Sequence, residues 1–168
     1  MLSSMSAFTL FHVALSLVGI VAGLVVMAGL LQSRRLPGWT ALFLATTAAT
    51  TVTGFLFPFR GFTPALGVGV VSSVVLAATA YALYAHRLAG RWRGIYVLGA
   101  TVSLYLNVFV LVVQLFDKVP GLHALAPTQQ EPPFAIAQGI VLVLFVAVGF
   151  VAVRGFHPVI LPVDAHAA

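Results

Sequence analysis

Five stretches of this chain are built almost wholly of apolar and small residues, and each is close to the ~20 residues an α-helix needs to cross the hydrocarbon core of a bilayer. They run from about Ala7 to Leu31, Trp39 to Phe57, Pro64 to Ala85, Gly94 to Phe116 and Phe134 to Arg154. Lipid offers backbone amides no water, so a spanning segment must satisfy them within itself, and at these lengths that means a helix. The rest of the composition agrees: 61% of the 168 residues are apolar and 7% charged, where soluble domains carry roughly 25% charge. The sequence predicts an all-α integral membrane bundle of five transmembrane helices, a single domain over residues 1–168, with the lipid bilayer as its solvent.

The charges that remain predict an orientation. Arg34 and Arg35 follow the first block, Arg87, Arg91 and Arg93 the third, and Arg154 ends the fifth, whereas the alternate connections hold only Arg60 and Lys118. Basic loops stay in the cytoplasm, which places the N-terminus outside and the C-terminus inside, as an odd number of spans requires. The leader Met1–Ser6 has no Lys or Arg to resist export, and the run behind it exceeds the ~7–15 residues of a signal-peptide core, so the first span reads as retained. The net charge of +5 is thereby a matter of membrane orientation, and no nucleic acid is expected as a partner. The segment His86–Arg93, basic and carrying Trp92, suits a place among anionic headgroups.

Small residues predict how the helices pack. His12, Ser16, Gly19 and Gly23 share one face of the first span, and Gly19-x-x-x-Gly23 admits a close neighbour. Gly69, Ser73, Ala77, Ala80 and Tyr84 run down one side of the third. The second is rich in threonine, with Thr46, Thr50 and Thr53 on one face and Thr47, Thr51 and Gly54 beside it, hydroxyls expected to bond back to their own helix. Such faces are consumed inside one chain or used by a homo-oligomer or a membrane-protein partner.

Several chemistries lack their residues. There is no cysteine, the acids Asp117, Glu131 and Asp164 all lie outside the spans, and no lysine lies within one. That removes thiol and iron–sulfur chemistry, the intramembrane carboxylates of ion coupling, and a retinal Schiff base. His12 is the only histidine inside a span; His86 and His157 can meet only at the cytoplasmic surface, a poor setting for bis-histidine haem. No cofactor is assigned.

The polar side chains that remain gather at one depth. Tyr96, Ser103, Asn107, Gln114 and Asp117 form a stripe along the fourth span, and an amide is costly to turn toward lipid. His12, Thr53, Gln114 and Gln138 each lie about one turn inside the outer boundary, on four different helices. Above them stand Arg60, Asp117, Lys118, His123, Gln129, Gln130 and Glu131. The last six belong to the extracytoplasmic loop 117–133, expected to be the longest non-helical connection and stiffened by Pro120, Pro127, Pro132 and Pro133. One reading makes these residues hydrogen-bonding links between helices. The other makes His12, Thr53, Asn107, Gln114 and Gln138 the lining of an outward-facing pocket for a small polar or amphipathic molecule, lidded by the loop. A metal at His12 and His123, joined by Glu131 or Asp117, has suitable ligand types without tight spacing. A quinone would find hydrogen bonds among the same residues.

The strings VTGFLFPF (52–59), YLNVFVLVVQ (105–114), LHALAPTQ (122–129) and EPPF (131–134) resemble a family of short bacterial multi-span inner-membrane proteins of unknown function, over about Phe11 to Arg154. The resemblance implies a multi-pass protein of the bacterial inner membrane and carries no activity or site residue with it. Among function classes, a binding or accessory subunit ranks ahead of a small-solute transporter or pore, and both ahead of a quinone- or metal-linked redox enzyme.

Overall fold

The computed structural model describes residues 7–57 and 64–158. Helices α1 (Ala7–Leu31), α2 (Pro37–Phe55), α3 (Pro64–Ala80), α4 (Trp92–Lys118), α5 (Pro120–Leu125) and α6 (Pro132–Gly155) follow in order, and α3 continues as a π-helical turn over Tyr81–Ala85. No strand occurs among the described residues. Proline opens α2, α5 and α6 at a first-turn position, where its fixed φ suits a helix and its missing N–H is not needed. This shifts α2 about two residues earlier than its hydropathy suggested. It also corrects the loop 117–133, which contains the six-residue α5 because Pro120 can start a turn that extended Val119 leads into.

Four helices are long and apolar enough to cross a membrane: α1, α3 with its π turn, α4 and α6. This is the build of a multi-pass membrane protein. The 19-residue α2 has the length, but six threonines lower its hydropathy. Half of these hydroxyls, those of Thr46, Thr51 and Thr53, are turned back on their own helix as expected. Thr46 donates to the Leu42 carbonyl at 2.7 Å, Thr51 to that of Thr47 at 2.9 Å and Thr53 to that of Ala49 at 2.7 Å.

Helices α1 and α4 form the centre, with 44% and 33% of their apolar windows buried against 11% for α3 and α6. Ala22, Val97, Leu104 and Ala152 are wholly enclosed there, beside Phe43 and Leu30. The expected close approach along Gly19-x-x-x-Gly23 is realised. A Cβ on Gly23 would stand 2.6 Å from Leu104 Cδ1 and 2.8 Å from Phe43 Cε2, so α1 fits between α2 and α4 only because no side chain intervenes. The small stripe of α3 behaves differently. Its core-facing residues are Ser72 and Thr79, while Ser73, Ala77 and Tyr84 face outward.

Contacts fix which helix ends lie together. His12 near the start of α1 meets Thr53 near the end of α2, so the two form an antiparallel hairpin along the whole bundle. At the other end Ser33, at φ 55°, closes α1, and Arg34 N–H returns to the Gly29 carbonyl at 2.8 Å. The Ser33 hydroxyl donates to the Gly155 carbonyl at 2.5 Å and accepts from His157 N–H at 3.1 Å, which ties the end of α6 to this turn. Arg35, Leu36 and Thr40 also border a small cavity of about 90 Å³ with Leu83, Tyr84 and Tyr96. The α1–α2 and α3–α4 turns and the end of α6 therefore share one end of the bundle, and with them Arg34, Arg35, Arg87, Arg91, Arg93 and Arg154. Asp117, Lys118 and Glu131 lie at the opposite end of α4 and the start of α6. At the arginine-rich end the α3–α4 turn is clasped by rings: His86 stacks on Trp92 at 3.9 Å and Tyr81 meets both edge-on.

Candidate functional site

Two stripes meet across the bundle interior. Thr40 and Tyr96 share a hydrogen bond of 3.3 Å, and one level further along Asn107 Nδ2 donates to Thr47 Oγ1 at 3.1 Å. Both pairs advance with residue number on α2 and on α4, so these helices run parallel. Spacing in the sequence shows the α4 stripe and the α2 threonines separately, and nothing in it pairs one with the other.

At the opposite end from the arginines, His12 Nδ1 lies 2.7 Å from Thr53 Oγ1, two of the residues expected to converge. A hydroxyl has one proton, and that of Thr53 is directed at the Ala49 carbonyl; the contact is then an Nδ1–H donated to Thr53, which leaves Nε2 of His12 as an acceptor. The His12 ring also meets Phe57 edge-on at 5.2 Å. Gln138 Nε2 donates to the Phe109 carbonyl at 3.2 Å, joining α6 to α4, and Gln129 Nε2 donates to that of Val113 at 3.1 Å, joining the connection to α4. Among the described residues the Oε1 atom of Gln138 is enclosed without a hydrogen-bond partner, as are Oγ of Ser103 and Oγ1 of Thr50.

Glu131 accepts from Thr128 N–H at 3.2 Å, Thr128 Oγ1 at 2.9 Å and Gln130 N–H at 3.1 Å. Desolvation pushes its carboxyl up, but its own backbone N–H and these bonds together outweigh it and hold the group below the ordinary glutamate value. Asp117 is paired with its neighbour Lys118 at 2.6 Å, both exposed, an arrangement worth little to stability. His123 is exposed on α5. Arg60 lies outside the described residues.

Two expectations need correction. Gln114 is exposed and joins none of these pairs. At 27 residues α4 is about 40 Å long, against a hydrocarbon core of ~30 Å, so its last turns reach a depth where water and headgroups solvate an amide. The metal arrangement does not form either. Among the described residues no group of three or more His, Asp or Glu is placed to hold an ion, because His12 is engaged by Thr53 and Glu131 by its own loop.

What hydropathy could not reveal is a groove of about 410 Å³ between α4 and α6, lined by Leu98, Thr101, Tyr105, Leu142, Val146, Phe150, Arg154 and their neighbours. Its walls look like any lipid-facing surface in the sequence; only the spacing of two helices makes them concave. No protein-family model matches the chain, and no curated protein or solved structure is detectably similar to it.

Proposed function

We propose that this chain is a binding or accessory subunit of a bacterial inner membrane, crossing it five times with the N-terminus outside and the C-terminus in the cytoplasm. Support for the fifth crossing comes from α2, which runs from the arginine-rich end, at Leu36, to the far end, where Thr53 meets His12. Its back-bonded hydroxyls lower the cost of its threonines in lipid. Gathering six arginines at one end is what positive-inside retention asks of the cytoplasmic face.

The observation that carries the accessory role is the outward stripe of α3. Ser73 and Ala77 stand four residues apart, both exposed, and the Ser73 hydroxyl is spent on the Gly69 carbonyl at 2.9 Å. Small-x-x-x-small is the spacing by which one membrane helix lets another's backbone approach, and among the described residues both positions stay exposed, in contrast to Gly19 and Gly23 of α1. A homo-oligomer or a membrane-protein partner fits there. Native mass spectrometry and crosslinking of protein extracted in mild detergent test this: association in the wild type should be lost in Ala77→Trp while the helical fold is retained. A wild type that stays monomeric and free of partners across several mild detergents overturns the reading.

A site for a small polar or amphipathic molecule at the His12 end is the second element of the proposal. It is favoured by the acceptor left on His12 Nε2 and by the unpartnered Oε1 of Gln138, both of which call for a donor. Mass spectrometry of molecules released on denaturing the purified protein should find a species missing from Gln138→Leu.

A further inference from the structure

We infer that the α4–α6 groove is a binding site for one acidic phospholipid, whose acyl chain lies along Tyr105, Leu142, Val146 and Phe150 and whose phosphate is met by Arg154. The groove holds about 410 Å³, within the ~300–1,000 Å³ of ligand sites. From Leu142 to Arg154 it follows α6 for about 18 Å, close to the ~15 Å thickness of one leaflet's hydrocarbon. Its walls are hydrocarbon apart from Thr101, Tyr105 and Arg154, and the Thr101 hydroxyl is already given to the Val97 carbonyl at 2.8 Å. Leu98, Leu142, Val146 and Phe150 are about half or more exposed, open to the bilayer along their length.

Charge decides the headgroup. Arg154 closes the groove at the end where all the described arginines gather, its guanidinium carbon 4.0 Å above the Phe150 ring. Stacking orients the planar fork without using its N–H donors. Among the described residues no carboxylate reaches it, since Asp117 pairs with Lys118 and Glu131 lies with it at the opposite end. A phosphodiester with net negative charge supplies what the site lacks, and basic sites between membrane helices do take such headgroups.

The same walls argue against another helix. Helices associate in lipid through small residues, and the one glycine of the groove, Gly149, is already covered: a Cβ there would stand 3.1 Å from Thr101 Cγ2. Leu142, Val146 and Phe150 hold a second backbone away but leave room for a flexible chain. Free phosphate would leave the apolar length unfilled. The inference requires only that the arginine-rich end face a leaflet surface, so it stands apart from the α3 docking reading and from which leaflet that is.

The test is native mass spectrometry of the delipidated full-length protein, titrated with dioleoylphosphatidylglycerol or dioleoylphosphatidylcholine. One phosphatidylglycerol should bind roughly fivefold or more tightly than phosphatidylcholine, as expected for one arginine near the membrane surface. Arg154→Gln should erase that preference and Arg154→Lys keep most of it. Val146→Trp, a change on an exposed position that fills the groove, should weaken both lipids. Arg35→Gln, at the same end but outside the groove, should leave the preference intact. The inference is overturned by equal binding of the two lipids, by a preference that survives Arg154→Gln, by an equal loss in Arg35→Gln, or by a dimer that Val146→Trp dissociates. Circular dichroism of each variant separates a lost site from a lost fold, and the Arg154 pair decides the matter should the tryptophan variant not fold.

Discussion

Threonines of α2 look alike in sequence and do different work. Thr53 serves both its own helix and His12, whereas Thr46 bonds only to carbonyls of α2, at Leu42 and Phe43. Thr53→Val, which keeps the shape and removes the hydroxyl, should therefore lower stability to denaturant in detergent by about 0.5–2 kcal/mol. Thr46→Val should change it by less than about 0.5 kcal/mol, because a back-bond returns little net energy. Equal losses at both positions would show that the His12 contact contributes nothing. Glu131 offers a residue-scale effect of pH. Its carboxyl is held below the ordinary value in the folded chain, so the clasp contributes stability above the ordinary glutamate range and loses it as pH falls through the depressed value. Hydrogen exchange at the Thr128 and Gln130 amides, corrected for intrinsic rate, should lose protection only as the pH falls below the ordinary glutamate range. In Glu131→Gln that acid-dependent loss should be absent.

At the scale of elements, what distinguishes one glycine from another is the neighbour it faces. A Cβ on Gly99 would fall on the Thr79 hydroxyl at the α3–α4 crossing, whereas Gly139 of α6 has open space around it. Gly99→Ala should destabilise by about 1–3 kcal/mol through overpacking, and Thr79→Gly in the same chain should recover part of that loss. Gly139→Ala should be neutral or stabilise by up to about 1 kcal/mol, since it only removes backbone freedom. Thermal unfolding of the four proteins in one detergent checks both; a costly Gly139→Ala would mean that a partner covers α6. Hydropathy anticipated α1, α3, α4 and α6 within a few residues, because an uninterrupted apolar run leaves the backbone no other way to satisfy itself in lipid. It missed α5, since six residues between prolines carry no periodicity.

For the whole molecule, the five proposed crossings fix which connections share a side of the membrane. The chain contains no cysteine, so single cysteines report sidedness without background. Gln32→Cys and Ala89→Cys, both at exposed positions of the arginine-rich end, should react with a membrane-impermeant maleimide only after the cytoplasmic face is opened. Gln130→Cys should react in intact spheroplasts. Were α2 not a span, Gln32 and Ala89 would lie on opposite sides and label under different conditions. The test thus addresses span number and orientation together.

Composition and order alone determined that the chain is helical and multi-pass, where most helices begin and end, and that the arginines recur at alternate connections, because the demand of lipid on backbone amides acts segment by segment. Which polar groups meet was decided only by tertiary structure. The α4 stripe reads as one face from Tyr96 to Asp117, yet Tyr96 and Asn107 pair with α2 while Gln114 is exposed, since periodicity gives a direction around a helix and says nothing of whether a neighbour stands there. The small residues of α1 and α3 look equivalent for the same reason, although Gly23 is buried against Phe43 and Leu104 while Ser73 and Ala77 face outward. The α4–α6 groove is a property of the gap between two helices, and that gap is set by Gly149 against Thr101, a contact between residues far apart in the chain that no local pattern encodes.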